Sequence, residues 1–206
     1  MKEDILEQLV EDYFQRRGYF TRHNVKFRPK ETHRKYVKKD DCVHSDIDVL
    51  GYNPLERGAE RVVAVTCKSW QSGFSPERLV KLKGTPETPK LAGRPMWKHF
   101  RELMVDKWSE SFKDEIKKTT GSTRFTYYLA VTKLQGDQKQ AVKAWENCVR
   151  FKEALNNNPL KILTVEKILH DLWEDAETTV AESEVGRLLQ VIKASGWTPD
   201  NKKITP

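Results

Sequence analysis

Apolar residues recur along the chain with two different periods, and the switches between them mark out the elements. Ile5, Leu6, Leu9, Val10, Tyr13 and Phe14 repeat at helical spacing and form one stripe. They predict a helix over residues 3 to 17, with Gly18 placed to end it. Tyr19-Phe20-Thr21 reads as a short strand, and the segment after it as a loop or a hairpin arm. Residues 46 to 52, DIDVLGY, alternate, with Ile47, Val49 and Gly51 facing one way and Asp46, Asp48 and Leu50 the other. Asn53-Pro54 and Gly58 mark a turn. Residues 61 to 68, RVVAVTCK, are the most β-rich run, continuous enough for a central strand covered on both sides. Its alternation puts Val62, Ala64, Thr66 and Lys68 on one face.

The second half repeats the theme. Prolines and glycines break residues 74 to 95 into a loop-rich stretch. Residues 96 to 117 return to the helical period, with Phe100, Leu103, Met104, Trp108, Phe112 and Ile116 on one face. RFTYYLAVTK, residues 124 to 133, is a strand. A long helix over 137 to 155 stops at Asn156-Asn157-Asn158-Pro159. LKILTV, residues 160 to 165, is a strand, and 166 to 173 and 183 to 195 are helices. The order α-β-β-β-α-β-α-β-α-α predicts an α/β fold, a mixed central sheet flanked by helices. The two long strands joined by the short turn are expected to pair antiparallel. At 206 residues the expectation is one domain over 1–206, with a helical insert at about 75–120 that forms a lobe or a dimer contact.

Composition narrows the function. No stretch approaches the roughly 18 apolar residues of a membrane helix. The opening MKEDILEQLVEDYF is amphipathic and acidic, unlike a signal or transit peptide, so a cytoplasmic protein is expected. Cys42, Cys67 and Cys148 are odd in number and widely spaced, which argues against a disulfide framework. Cys42-x-His44 is half of a zinc site, and no second pair completes it. Net charge is +7, which favours a polyanionic partner. The charge is concentrated: Arg22, Lys26, Arg28, Lys30, Arg34, Lys35, Lys38 and Lys39 fall in a window whose one acid is Glu31. Such a segment can neutralise several phosphates, or it can be a solvated basic loop.

Two polar residues occupy unusual places. Asp48 lies inside a hydrophobic strand, and Lys68 ends the most apolar one. Charges near a core pair, bind an ion or do chemistry. If the two strands are neighbours, the two side chains converge on one sheet edge. A carboxylate there can hold Mg²⁺, which prefers oxygen ligands, and a lysine beside it can orient the water that attacks a phosphodiester. The bland alternatives are an Asp48 paired with Arg61 and a Lys68 snorkelling to water.

Four segments carry a resemblance to a known family. They are LEQLVEDYFQRRGYF, SDIDVLGY, VVAVTCKSW, and the strand RFTYYLAVTK with the later LKILTVEKILHDLW. In order and spacing they resemble the PD-(D/E)xK nuclease superfamily, in particular Mrr-type restriction nucleases and Holliday-junction resolvases. The resemblance implies a restriction endonuclease-like fold and a Mg²⁺-dependent endodeoxyribonuclease, with Mn²⁺ as a substitute metal. It implies DNA as partner and a homodimer with one site per strand; RNA stays open as a substrate, because phosphodiester cleavage by metal-bound water does not by itself distinguish DNA from RNA. Asp48 matches the metal-binding aspartate and Lys68 the catalytic lysine. Glu7 matches the helix glutamate that supports the metal, with Glu11 as runner-up and Asp46 as an assistant. Trp70, just after the lysine, either touches nucleic acid or packs on the rim.

Position 66 departs from the pattern, because the family carries Glu, Asp or Gln there and this chain has Thr66. Either Glu7 or Asp46 supplies the missing carboxylate, or metal binds weakly through Thr66 and the Cys67 carbonyl. The third option is an inactive relative that only binds DNA or a partner. Glu60 shares the parity of Thr66 but lies about 20 Å away along the strand.

Overall fold

The computed structural model describes residues 4–81, 90–91, 93–175 and 183–198. Its centre is a sheet whose first strands are β1 (Phe20–Phe27), β2 (Ser45–Tyr52) and β3 (Val62–Lys68). A two-residue hairpin, β4 (Lys90–Leu91) with β5 (Arg94–Pro95), stands outside it. Strands β6 (Thr126–Val131) and β7 (Leu160–Thr164) complete the five-stranded order β1-β2-β3-β6-β7. β1–β2 and β2–β3 pair antiparallel, as expected for strands joined by a short turn, and β3–β6 and β6–β7 pair parallel. The result is the mixed α/β fold that the element order predicts.

Helices cover both faces. Helix α1 (Ile5–Gln15) lies on one face; the turn α2 (Lys38–Asp41) joins β1 to β2. Helices α3 (Pro76–Lys81), α4 (Arg101–Met104), α5 (Asp106–Thr120), α6 (Gln138–Glu146) and α7 (Val149–Ala154) lie on the other face. Helices α8 (Val165–Asp175) and α9 (Glu184–Ala194) return to the α1 side. On the α1 side Leu6, Val10 and Phe14 pack on Val49, Val63 and Val65. On the α5 side Phe100, Trp108, Phe112 and Trp145 pack on Ile47, Leu50, Ala64 and Tyr127. Among the described residues no helix is long and apolar enough to cross a membrane.

Two predicted helices are broken. The helix expected over 96 to 117 is a 3-10 turn (Met96–His99), then α4, then α5, separated at Phe100 and Val105. Leu103 and Trp108 are both buried, yet five positions span about 140° of a continuous helix. The break at Val105 turns both inward. The helix expected over 137 to 155 is likewise divided into α6 and α7, which lets Trp145 and Phe151 both reach the core. The loop-rich stretch 74 to 95 holds α3, and its residues 82–89 and 92 lie outside the described residues. The first part of the basic segment belongs to β1, which runs six residues beyond the predicted short strand.

The strand pattern is also broken once. Ile47 joins the core on the α5 side, whereas Val49 joins the one on the α1 side. Strand β1 does the same: His23 reaches α1 through Glu11, while Val25 packs on the α5 side. The pairing skips the residues between, Asn24 and Asp48, and Asn24 has φ +51°. Both strands therefore turn over at this opposed pair, and Ile47 shares a face with Leu50 instead of Val49. Gly51 lies just beyond, where a Cβ would meet Val63 Cγ2 at 2.7 Å.

Candidate active site

The β2–β3 ladder ends at Val49 opposite Val65, and the strands part there. Asp48 is the first residue past the fork. Its Oδ2 accepts a hydrogen bond from the Cys67 backbone N–H at 2.6 Å, which replaces the lost ladder bond. The turnover of β2 thus aims a carboxylate into the fork in place of an apolar side chain. No ion pair joins Asp48 to Arg61, which donates to the Glu56 carbonyl.

Thr66 and Lys68 project toward α4 and the turn before it. Thr66 is buried and donates to Oε1 of Glu102 at 3.3 Å. Tyr127 of β6 donates its hydroxyl to the same oxygen at 2.7 Å. Glu102 is only 4% exposed, and a buried carboxylate needs such donors. Both bonds fall on Oε1. Among the described residues, Oε2 of Glu102 and Oδ1 of Asp48 accept no hydrogen bond. The Lys68 ammonium stands 5.9 Å from the ring centre of Phe100, which precedes α4. Residues Asp48, Lys68, Glu102, Thr66 and Tyr127 therefore share one partly buried locus between the fork and α4.

The electrostatics fit that locus. Burial pushes the Asp48 carboxyl up; Lys68 and the Cys67 N–H oppose this, and the charges of Glu102 and Asp46 add to it. Burial together with the nearby Glu102 charge raises the Tyr127 hydroxyl well above its ordinary value, so it stays a donor. Burial also pushes up the Cys67 thiol, assisted by Asp48, Glu7 and Asp4.

The remaining predicted residues fall as follows. Glu7 lies in the first turn of α1, on the opposite face from Thr66, where its charge reaches Cys67. The N-terminus of α1 docks on the end of β3 through Asp4, which caps the helix at Leu6 N–H and accepts from Ser69. Glu11 is held by Thr21 and His23 of β1. Asp46 is exposed, and the turnover at Asp48 removes the shared strand face expected for the two. Glu60 pairs with Lys161 at the far end of the sheet. Trp70 packs against Phe74, His99 and Phe100. Among the described residues, no group of three His, Cys, Asp or Glu side chains is arranged to hold a metal ion. All three cysteines are free thiols.

Sequence reasoning missed Glu102. The signal available was its burial-prone neighbourhood, Phe100-Arg-Glu-Leu103, with an acid next to core residues. On an uninterrupted helix it falls off the apolar face.

All eight cations of the basic segment are exposed. Arg22 and Lys26 stand on edge strand β1, Arg28, Lys30, Arg34 and Lys35 on the loop, and Lys38 and Lys39 on α2. Arg28, Lys30 and Lys35 pair with Glu31, Asp114 and Asp106. The other five form no ion pair among the described residues. Asp40 of α2 lies 3.8 Å from Lys98, just before α4, so the segment borders the Glu102 locus. Comparison with protein-family models, curated proteins and solved structures returns no match to this chain.

Proposed function

We propose that the chain is a metal-dependent endodeoxyribonuclease of the PD-(D/E)xK type, in which Glu102 replaces the carboxylate that Thr66 lacks. One observation carries this reading. Two carboxylates flank the fork beside a lysine, and each presents one oxygen with no hydrogen bond. Mg²⁺ takes oxygen ligands, keeps several waters and is held by one or two carboxylates, so Asp48 and Glu102 fit it, or Mn²⁺. The ion, when bound, would neutralise charge developing on the phosphodiester oxygens.

The protein's own groups have distinct parts. Thr66 and Tyr127 fix Glu102 through Oε1, and Oε2 accepts no hydrogen bond among the described residues. The Cys67 N–H fixes Asp48 in the same way. Lys68 Nζ, a donor only, orients the attacking water and stabilises negative charge developing on the phosphodiester. The exposed cations of the basic segment grip the phosphate backbone, which positions the duplex without reading its sequence. Thr66 and the Cys67 backbone N–H are supports here, and Glu7 a more distant one.

A second reading, a DNA-binding protein on an inactive nuclease fold, is favoured by the lack of a three-ligand group among the described residues. Cleavage of plasmid and branched DNA in Mg²⁺ or Mn²⁺ separates the two. Wild type is expected to cut. Asp48→Ala and Lys68→Ala abolish cutting, and Glu102→Gln lowers the rate at least 10- to 100-fold, the loss seen even for groups one step removed from a metal. Wild-type protein that retards DNA yet cuts nothing, and binds no Mn²⁺, supports the second reading instead.

A further inference from the structure

The same face of the sheet carries a second recess that the reaction does not use. A cleft of about 320 Å³ opens between edge strand β1, β2 and the C-terminal end of α5. Its walls include Phe20, Arg22, Tyr52, Thr119 and Thr120. That volume lies at the low end of small-ligand sites, right for one ring system and its substituents.

Three features of this cleft point to one ligand chemistry. Phe20 is 74% exposed and has no ring partner among the described residues. An exposed aromatic on an edge strand is a liability that proteins ordinarily avoid. Phe20 sits directly across from Tyr52 in the β1–β2 register, so two aromatic side chains border one opening. Arg22 follows two residues along β1 on the same side, exposed and without an ion pair among the described residues. Aromatic faces beside an unpaired guanidinium suit a planar base with its phosphate. Tyr52 is four residues from Asp48 along β2, or about 13 Å.

We infer that this cleft holds an unstacked base of the nucleic acid bound at the Asp48–Glu102 locus, with Phe20 as the stacking platform and Arg22 on the adjacent phosphate. The inference rests on the nuclease reading for its substrate class and extends it to DNA with unpaired nucleotides, such as overhangs, flaps and branch points. Stacking needs no particular base, so the cleft selects unpaired structure over sequence.

The test compares two duplexes without divalent ions. One is blunt; the other bears a short unpaired overhang containing a fluorescent adenine analogue. Wild-type protein is expected to prefer the overhang and to quench the analogue. Phe20→Ala and the milder Phe20→Leu keep blunt-duplex affinity, lose the quenching and weaken overhang binding fivefold or more. Equal overhang preference and quenching in wild type and both variants overturn the inference while leaving the nuclease reading intact. Wild-type protein that binds neither duplex overturns both.

Discussion

Asp48 is kept where its charge is poorly solvated. Burial raises its carboxyl above the usual value in the folded protein. A raised carboxyl contributes stability below its unfolded pKa, and that contribution is lost as pH rises through the folded value. The ionised form of this buried carboxyl therefore weighs against the fold at pH above its folded value. Asp48→Asn is expected to raise the melting temperature at pH 7, by about 2–4 °C for each kcal/mol relieved. The gain disappears below about pH 4, where the unfolded chain also protonates. Mn²⁺ should raise the wild-type melting temperature and leave Asp48→Asn unmoved, since a ligand stabilises only the state it binds. A variant that melts below wild type at pH 7 sinks the burial argument, and one that shifts with Mn²⁺ as wild type does sinks the metal assignment.

At the scale of elements, α2 and α5 show how a charged loop is moored. Asp41 is 1% exposed and accepts from Val37 N–H, Lys107 and Trp108 at 2.6, 2.5 and 3.2 Å. Burial alone would raise its carboxyl, but these donors outweigh it and hold the group below the usual range. A lowered carboxyl contributes stability above its unfolded pKa, lost as pH falls through the folded value. Asp41→Asn leaves Lys107 without its counter-charge and is expected to destabilise by about 3–5 kcal/mol at pH 7. Denaturation from pH 7 down to pH 3 should show that difference shrinking; a constant difference overturns the charge argument. The mooring also shows what the sequence could and could not disclose. Strand alternation located β3 and put Thr66 and Lys68 on one face, because β3 is regular. It failed in β2, where the turnover at Asn24 and Asp48 depends on a cross-strand pair far apart in sequence. Glu102 was illegible for a related reason. Its inward aim follows from the break at Val105, which Leu103 and Trp108 impose through packing and no local residue announces.

Across the whole molecule, the basic segment divides into two sets with different work. Arg28, Lys30 and Lys35 are neutralised, the last two by acids of α5, and hold the loop down. Arg22, Lys26, Arg34, Lys38 and Lys39 project without an ion pair among the described residues and remain available to phosphates. Each phosphate neutralised on duplex DNA changes the slope of log affinity against log salt by about −0.9. If all five engage, the slope is about −4.5, and each single alanine variant among them reduces its magnitude by about 0.9. Alanine at Lys30 or Lys35 should weaken the loop's attachment but shift the slope less, because those charges are already matched by acids in the free protein. The slope is measured by titrating wild type and variants against one duplex over a range of salt. A slope near zero removes the segment from the interface. Equal slope changes from paired and unpaired positions would mean the ion pairs open on binding, so that the division seen in the free protein does not survive in the complex.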